Sequence, residues 1–196
     1  MGAFTIEGYN CVFIHIPKTA GTSIRRGVFK NEVEGPYFNT VPEGWEDKFS
    51  FAFVRNPYDR MISAWKMFSG GMIDTKWGHK DKDALNGISL MDFLKIATDE
   101  SIDHHKRDTI YNVLRHHTIP QTSPYHCIQF ADFIGKFENL ESDFALISNK
   151  IGLKDYSFNH LNKTARNSYK EYYNEESFEF VTKNYREEIE QFGYEF

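Results

Sequence analysis

Residues 17–23 read Pro17, Lys18, Thr19, Ala20, Gly21, Thr22 and Ser23, and they follow directly on the apolar run CVFIHI. The small side chains from Ala20 to Ser23 let backbone N–H groups converge, and a helix beginning there points its positive end at the same spot. Such a turn holds an anion, and phosphate suits it. It is not a Walker A loop, which needs G-x-x-x-x-G-K-[ST] with lysine after the last glycine. Here Lys18 precedes Gly21 and the first glycine is absent, so an ordinary P-loop kinase is disfavoured. The histidines offer no metal chemistry. His15 lies inside the apolar run as a core or strand-end imidazole. His104–His105 and His116–His117 are adjacent pairs whose rings would diverge on a helix, so neither pair alone makes a metal site.

A turn of this kind needs a strand before it and a helix after it, and the chain supplies both twice. Cys11 to Ile16 is a mostly apolar run suited to a buried parallel strand, and "SIRRGVF" continues the turn as a helix. A second run, Phe49 to Val54, ends at Arg55. Asn56-Pro57 then opens the helix "YDRMISAWKMF", in which Met61, Ile62, Trp65 and Phe68 recur at helical spacing and leave Arg60 and Ser63 on other faces. A third strand is expected at 132–137. It precedes Asn139 as N-cap of "LESDFALISNKI", with Gly152 as its stop. Residues 70–87 are polar and glycine-containing, an exposed loop long enough to serve a function. "SLMDFLKIA" and "KRDTIYNVL" form short helices, and Phe178, Val181, Tyr185, Ile189 and Phe192 make one helical stripe near the C-terminus. Strands alternating with helices imply an α/β fold, a central parallel sheet flanked by helices with right-handed crossovers.

Composition bounds the partners. The 196 residues, 40% hydrophobic and 16% aromatic, supply one sizeable core, so one domain over 1–196 is expected. Lys and Arg number 23 against 28 Asp and Glu, a net charge of -5, so no whole-surface basic field points to nucleic acid or an anionic membrane. Cys11 and Cys127 lie far apart, form no C-x-x-C and are expected to be buried thiols. There is neither a charged leader with an apolar segment behind it nor an apolar run long enough to span a bilayer. A soluble, cytoplasmic protein is expected.

"PKTAGTS" after a strand, with "FAFVRNPYDRMISAW" some thirty residues on, resembles the sulfotransferases, specifically the branch containing glycan O-sulfotransferases. "HTIPQ" at 117–121 resembles that branch's H-W-x-P-Q with Thr118 in place of tryptophan. "DFIGKFENLESDF", "HLNKT" and the ending "FGYEF" are similar to family segments in the same order. The resemblance implies a P-loop-like fold and 3'-phosphoadenylyl sulfate as donor, with no metal. It implies that Pro17, Lys18, Thr19, Ala20, Gly21, Thr22 and Ser23 wrap the 5'-phosphosulfate and that Arg55 and Ser63 bind the 3'-phosphate. Asn162, Lys163 and Thr164 would close over the nucleotide. An arginine fork suits a phosphate, and Ser63 on the following helix is within reach of the same group. Lys18 would stabilise charge on the departing bridging oxygen. Arg25, Arg26 and Arg60 are expected at the surface or in support.

The acceptor would be a hydroxyl of a glycan or other small molecule. Many relatives carry a histidine between the two donor motifs, a natural general base, whereas "NEVEGPYFNTVPEGWEDK" has none. Glu32, Glu34, Glu43 or His117 could take that role, with His117 favoured because a neutral imidazole accepts a hydroxyl proton readily. Two other functions remain open: a donor-nucleotide-binding module without turnover, and a P-loop-like metabolite kinase.

Overall fold

In the computed structural model, which describes residues 2–70, 81, 83–158 and 168–196, the chain packs as two compact units. One comprises Met1–Arg55 with Gln121–Ala165, the other Asn56–Pro120 with Arg166–Phe196.

The first unit is built on apolar strands. β1 (Ala3–Ile6), β2 (Cys11–Ile14), β3 (Val33–Tyr37), β4 (Phe49–Val54) and β5 (Phe133–Lys136) form a sheet in the order β3-β1-β2-β4-β5. β2, β4 and β5 are parallel, with Phe13 opposite Phe51 and Phe51 opposite Phe133. This is the parallel centre that uninterrupted apolar runs dictate, since strands covered on both faces need no polar alternation. β1 pairs antiparallel with both β2 and β3, so the complete sheet is mixed. β3 contains Gly35 and Pro36 and lies at the edge of the sheet, where a missing donor and a weak former are tolerated. Stacked Phe13 and Phe51, 5.2 Å between ring centres, are buried with Phe53, Ile24 and Phe144. Phe144 and Ile147 come from α4 (Leu140–Ile151), which ends at Gly152 in the left-handed conformation (φ 74°) expected of a C-terminal glycine. Asn139 precedes α4, but its side chain makes no capping bond.

The second unit is helical. α1 (Pro57–Ser69) starts as its sequence dictates, with proline at the first position and the Asn56 side chain accepting from the Tyr58 N–H at 3.0 Å. α2 (Leu90–Thr98) is capped by Ser89, and α3 (Ile110–Thr118) by a reciprocal Thr109–Asn112 box. The C-terminal stripe divides into α5 (Glu175–Asn184) and α6 (Arg186–Phe192), because Tyr185 leaves helical geometry at φ -117° and ψ 21°. Val181 and Tyr185 still pack into a core with Met61, Phe68, Phe93 and Leu114. Residues 71–80 and 82 of the expected loop lie outside the described residues, while Leu85 near its end is buried.

Of the two places expected for Arg60, the surface or a supporting position, the structure shows the second. It is fully buried, and its guanidinium donates to the carbonyls of His117 (3.2 Å), Thr118 (3.2 Å) and Ile119 (2.9 Å), the open C-terminal end of α3. Glu188 lies 3.7 Å away and is likewise buried. Four polar groups at a helix end need partners, and an arginine fork supplies several donors at once. Arg26 is exposed and Arg25 half-buried, its guanidinium 4.6 Å from the centre of the Phe4 ring. Cys11 and Cys127 are buried and unbridged, and desolvation pushes the Cys11 thiol up to about 12.

Candidate active site

β2 ends at Ile14, and the chain then folds into the anion turn. Thr19 is buried and its hydroxyl donates to the Ile16 carbonyl at 2.9 Å, which closes the bend. Lys18 and Ala20 both sit at φ 70°, while Thr19 between them keeps an ordinary negative φ. Left-handed backbone costs a non-glycine residue about 1–2 kcal/mol, so two such residues so close together mark a turn whose shape is enforced. Alternation of this kind turns successive N–H groups toward one concave point, a nest for an anion. The Ile24 N–H then bonds to the Ala20 carbonyl at 3.0 Å, and the helix expected there forms as a short π-helical turn over Ser23–Val28. Single π-turns recur at functional sites.

Gly21 is required for a different reason. A Cβ there would meet the His15 imidazole at 1.7 Å, so the ring occupies the space a side chain would need. His15 is itself buried and stacked on Phe13, with 5.5 Å between ring centres and 18° between planes. The turn thus lies directly against the buried His15 imidazole beyond the end of β2.

Arg55, one residue beyond β4, is brought to the same turn. Its Nη1 donates to the Lys18 carbonyl at 3.0 Å, and its guanidinium lies 4.0 Å from the centre of the Phe137 ring. Only 7% of the residue is exposed. Its backbone is pinned as firmly: the Arg55 N–H donates to Gln121 Oε1 at 2.8 Å, and Gln121 Nε2 donates to the Arg55 carbonyl at 2.9 Å. Gln121 is wholly buried and does the work of a neighbouring strand. Sequence reasoning quoted it in "HTIPQ" but gave it no role. The signal was its polarity in an otherwise matching motif; the contact, 66 residues away in sequence, was invisible.

The Arg55 guanidinium and the left-handed turn at Lys18 and Ala20 thus meet just beyond the ends of the parallel strands β4 and β2. The model described as "Sulfotransferase family" matches residues 1–195. The chain belongs to the sulfotransferase family. Separate comparisons gave no significant match among curated proteins or among solved structures.

As a sulfotransferase, the chain is an enzyme of sulfuryl transfer, and its candidate residues fall into three groups. Pro17 to Ser23 and Arg55 are assembled together in the sheet unit. Ser63 stands on α1 of the helical unit, half-buried, and His117 is in the last turn of α3 in that same unit. Asn162, Lys163 and Thr164 lie outside the described residues. His117 is buried, with its Nδ1 2.7 Å from the Val113 carbonyl and its ring edge-on to Phe68. A carbonyl only accepts, so Nδ1 carries a proton and, in the neutral ring, Nε2 holds the lone pair. The rival carboxylates Glu32, Glu34 and Glu43 are exposed, and Glu34 accepts a 3.4 Å hydrogen bond from the Thr5 hydroxyl. Among the described residues no group of three or more His, Cys, Asp or Glu is placed to hold a metal ion, and no helix is long and apolar enough to cross a membrane.

Proposed function

We propose that the chain transfers a sulfuryl group from 3'-phosphoadenylyl sulfate to a hydroxyl of a glycan or other small acceptor, without a metal, and that residues 1–196 act as one catalytic domain. The observation that carries the reading is the Arg55 guanidinium held 3.0 Å from the carbonyl of Lys18 in an enforced anion turn. Lys18 to Ser23 hold the 5'-phosphosulfate, and Arg55 with Ser63 holds the 3'-phosphate. Asn162, Lys163 and Thr164 complete the nucleotide site. As the acceptor oxygen bonds to sulfur, the bond from sulfur to the bridging phosphate oxygen breaks, and Lys18 stabilises the charge gathering there. His117 Nε2 takes the acceptor's proton, and adenosine 3',5'-bisphosphate leaves. Catalysis of this type is mostly positioning and charge stabilisation. Two buried, unbridged cysteines support a cytoplasmic location.

Calorimetry with adenosine 3',5'-bisphosphate and AMP tests the donor site. The bisphosphate should bind far more tightly, and Arg55→Ala should weaken it by about 1.5–3 kcal/mol, the value of a hydrogen bond to a charged group. Equal affinity for the two nucleotides refutes the assignment. For the base, His117→Ala should lower turnover roughly 10²- to 10⁴-fold while Glu34→Gln stays near wild type. The opposite pattern moves the role to the carboxylate.

A further inference from the structure

An anion turn presents its N–H groups inward, and in a planar trans peptide the carbonyl joined to each N–H points the opposite way. Beyond β2 those carbonyls need donors from elsewhere. At alternate residues the turn has found three. The Ile16 carbonyl accepts from the Thr19 hydroxyl at 2.9 Å, the Ala20 carbonyl from the Ile24 N–H at 3.0 Å, and the Lys18 carbonyl from Arg55 Nη1 at 3.0 Å. The first two donors belong to the turn and the helix it starts. The third comes from the end of another strand, 37 residues away. The three peptide units end in Pro17, Gly21 and Thr19. Proline has no N–H, so Thr19 and Gly21 supply the amides that face away from the groups holding the carbonyls. Arg55 is itself well rooted. Gln121 holds its backbone N–H and carbonyl, at 2.8 and 2.9 Å, and its guanidinium lies 4.0 Å from the centre of the Phe137 ring. All of these groups belong to the sheet unit.

We infer that Arg55 is a positioning residue for the 5' arm of the donor: by holding the Lys18 carbonyl it turns the Thr19 N–H toward the 5'-phosphosulfate. This role is separate from the grip on the 3'-phosphate proposed for the same side chain, and it rests on the reading of the turn as the 5' site. Lys18 and Ala20, both at φ 70°, make the turn costly to hold, and the peptide between Lys18 and Thr19 lies within that strained stretch. The two local bonds keep the chain bent. Without the third, that peptide is free to rotate, and one amide is lost to the anion. A guanidinium carries five N–H groups, so a bond to one carbonyl leaves others for a phosphate. One arginine thereby serves both ends of the donor.

The nucleotide 5'-AMP isolates the effect, because it has no 3'-phosphate for Arg55 to grip. With folding checked by circular dichroism, calorimetry on Arg55→Leu should show 5'-AMP bound about tenfold more weakly than by wild type, as for one lost hydrogen bond to an anion, and adenosine unchanged within about twofold. Nuclear magnetic resonance separates a misdirected amide from a missing charge. Saturating 5'-AMP should move the Thr19 and Gly21 amide protons downfield in wild type, and only that of Gly21 in Arg55→Leu, since Gly21 keeps its own clasp. Unchanged 5'-AMP affinity, or Thr19 and Gly21 responding alike in Arg55→Leu, overturns the inference and leaves Arg55 as a 3'-phosphate ligand only. If Arg55→Leu does not fold, the wild-type spectrum decides, and a Thr19 amide untouched by 5'-AMP overturns the inference. A wild-type protein that binds 5'-AMP no more tightly than adenosine overturns the 5' site itself and the inference with it.

Discussion

Arg55 in the sheet unit and Arg60 in the helical unit are five residues apart in the sequence, and both guanidinium groups are aimed at backbone carbonyls. Their surroundings differ. Arg60 meets three carbonyls and the buried carboxylate of Glu188, and it is sealed completely. Arg55 donates to the Lys18 carbonyl, in a turn with left-handed residues at Lys18 and Ala20, and its guanidinium lies near the Phe137 ring. One arginine closes a helix; the other holds a turn of left-handed residues. Side-chain identity thus says little about an arginine's role. What separates the two is the backbone they meet: the end of a helix for Arg60, a left-handed turn for Arg55.

Arg60→Ala is expected to do the most damage, because it removes the charge opposite Glu188 and strips the donors from three carbonyls. Breaking a buried ion pair by removing one partner costs about 3–5 kcal/mol. Urea unfolding should show it, and an Arg60→Ala protein as stable as wild type would mean that the buried pair contributes nothing. Lys18→Ala comes next and acts on rate. Losing a group that answers transition-state charge lowers turnover by about 10²- to 10³-fold. Product-nucleotide affinity should fall much less; a loss of affinity in full proportion to rate would make Lys18 a binding residue only. Arg55→Ala should have the smallest effect on folding. Its cost is expected in bisphosphate binding, and a melting-temperature drop matching that of Arg60→Ala would erase the distinction between the two arginines.

Much of the sheet unit was legible because its central strands are continuous apolar runs. CVFI and FSFAFV leave no polar position for an exposed face, so a parallel pair with helices between them follows. β1 and β3 were not legible. AFTI is four residues long, and VEGPY carries a glycine and a proline that lower any strand expectation. The burial of Arg60 has a similar cause. On α1 the buried residues include Tyr58, Arg60, Met61, Ile62, Ala64 and Phe68, an arc wider than the stripe of Met61, Ile62, Trp65 and Phe68 that helical spacing picks out. In the site, Lys18 and Arg55 could be found from motif and spacing. The backbone of the turn could not, because left-handed geometry at Lys18 and Ala20 is carried by residues that ordinarily avoid it. Gln121 was hidden by distance along the chain.

The contact between His15 and position 21 bears on how such a chain can change over time. A side chain at 21 would meet the imidazole, so Gly21→Ala requires the His15 ring to shift out of its buried place. Replacement of His15 by something small opens that space, after which position 21 gains freedom. The two sites are therefore coupled: the room available at position 21 depends on what stands at position 15.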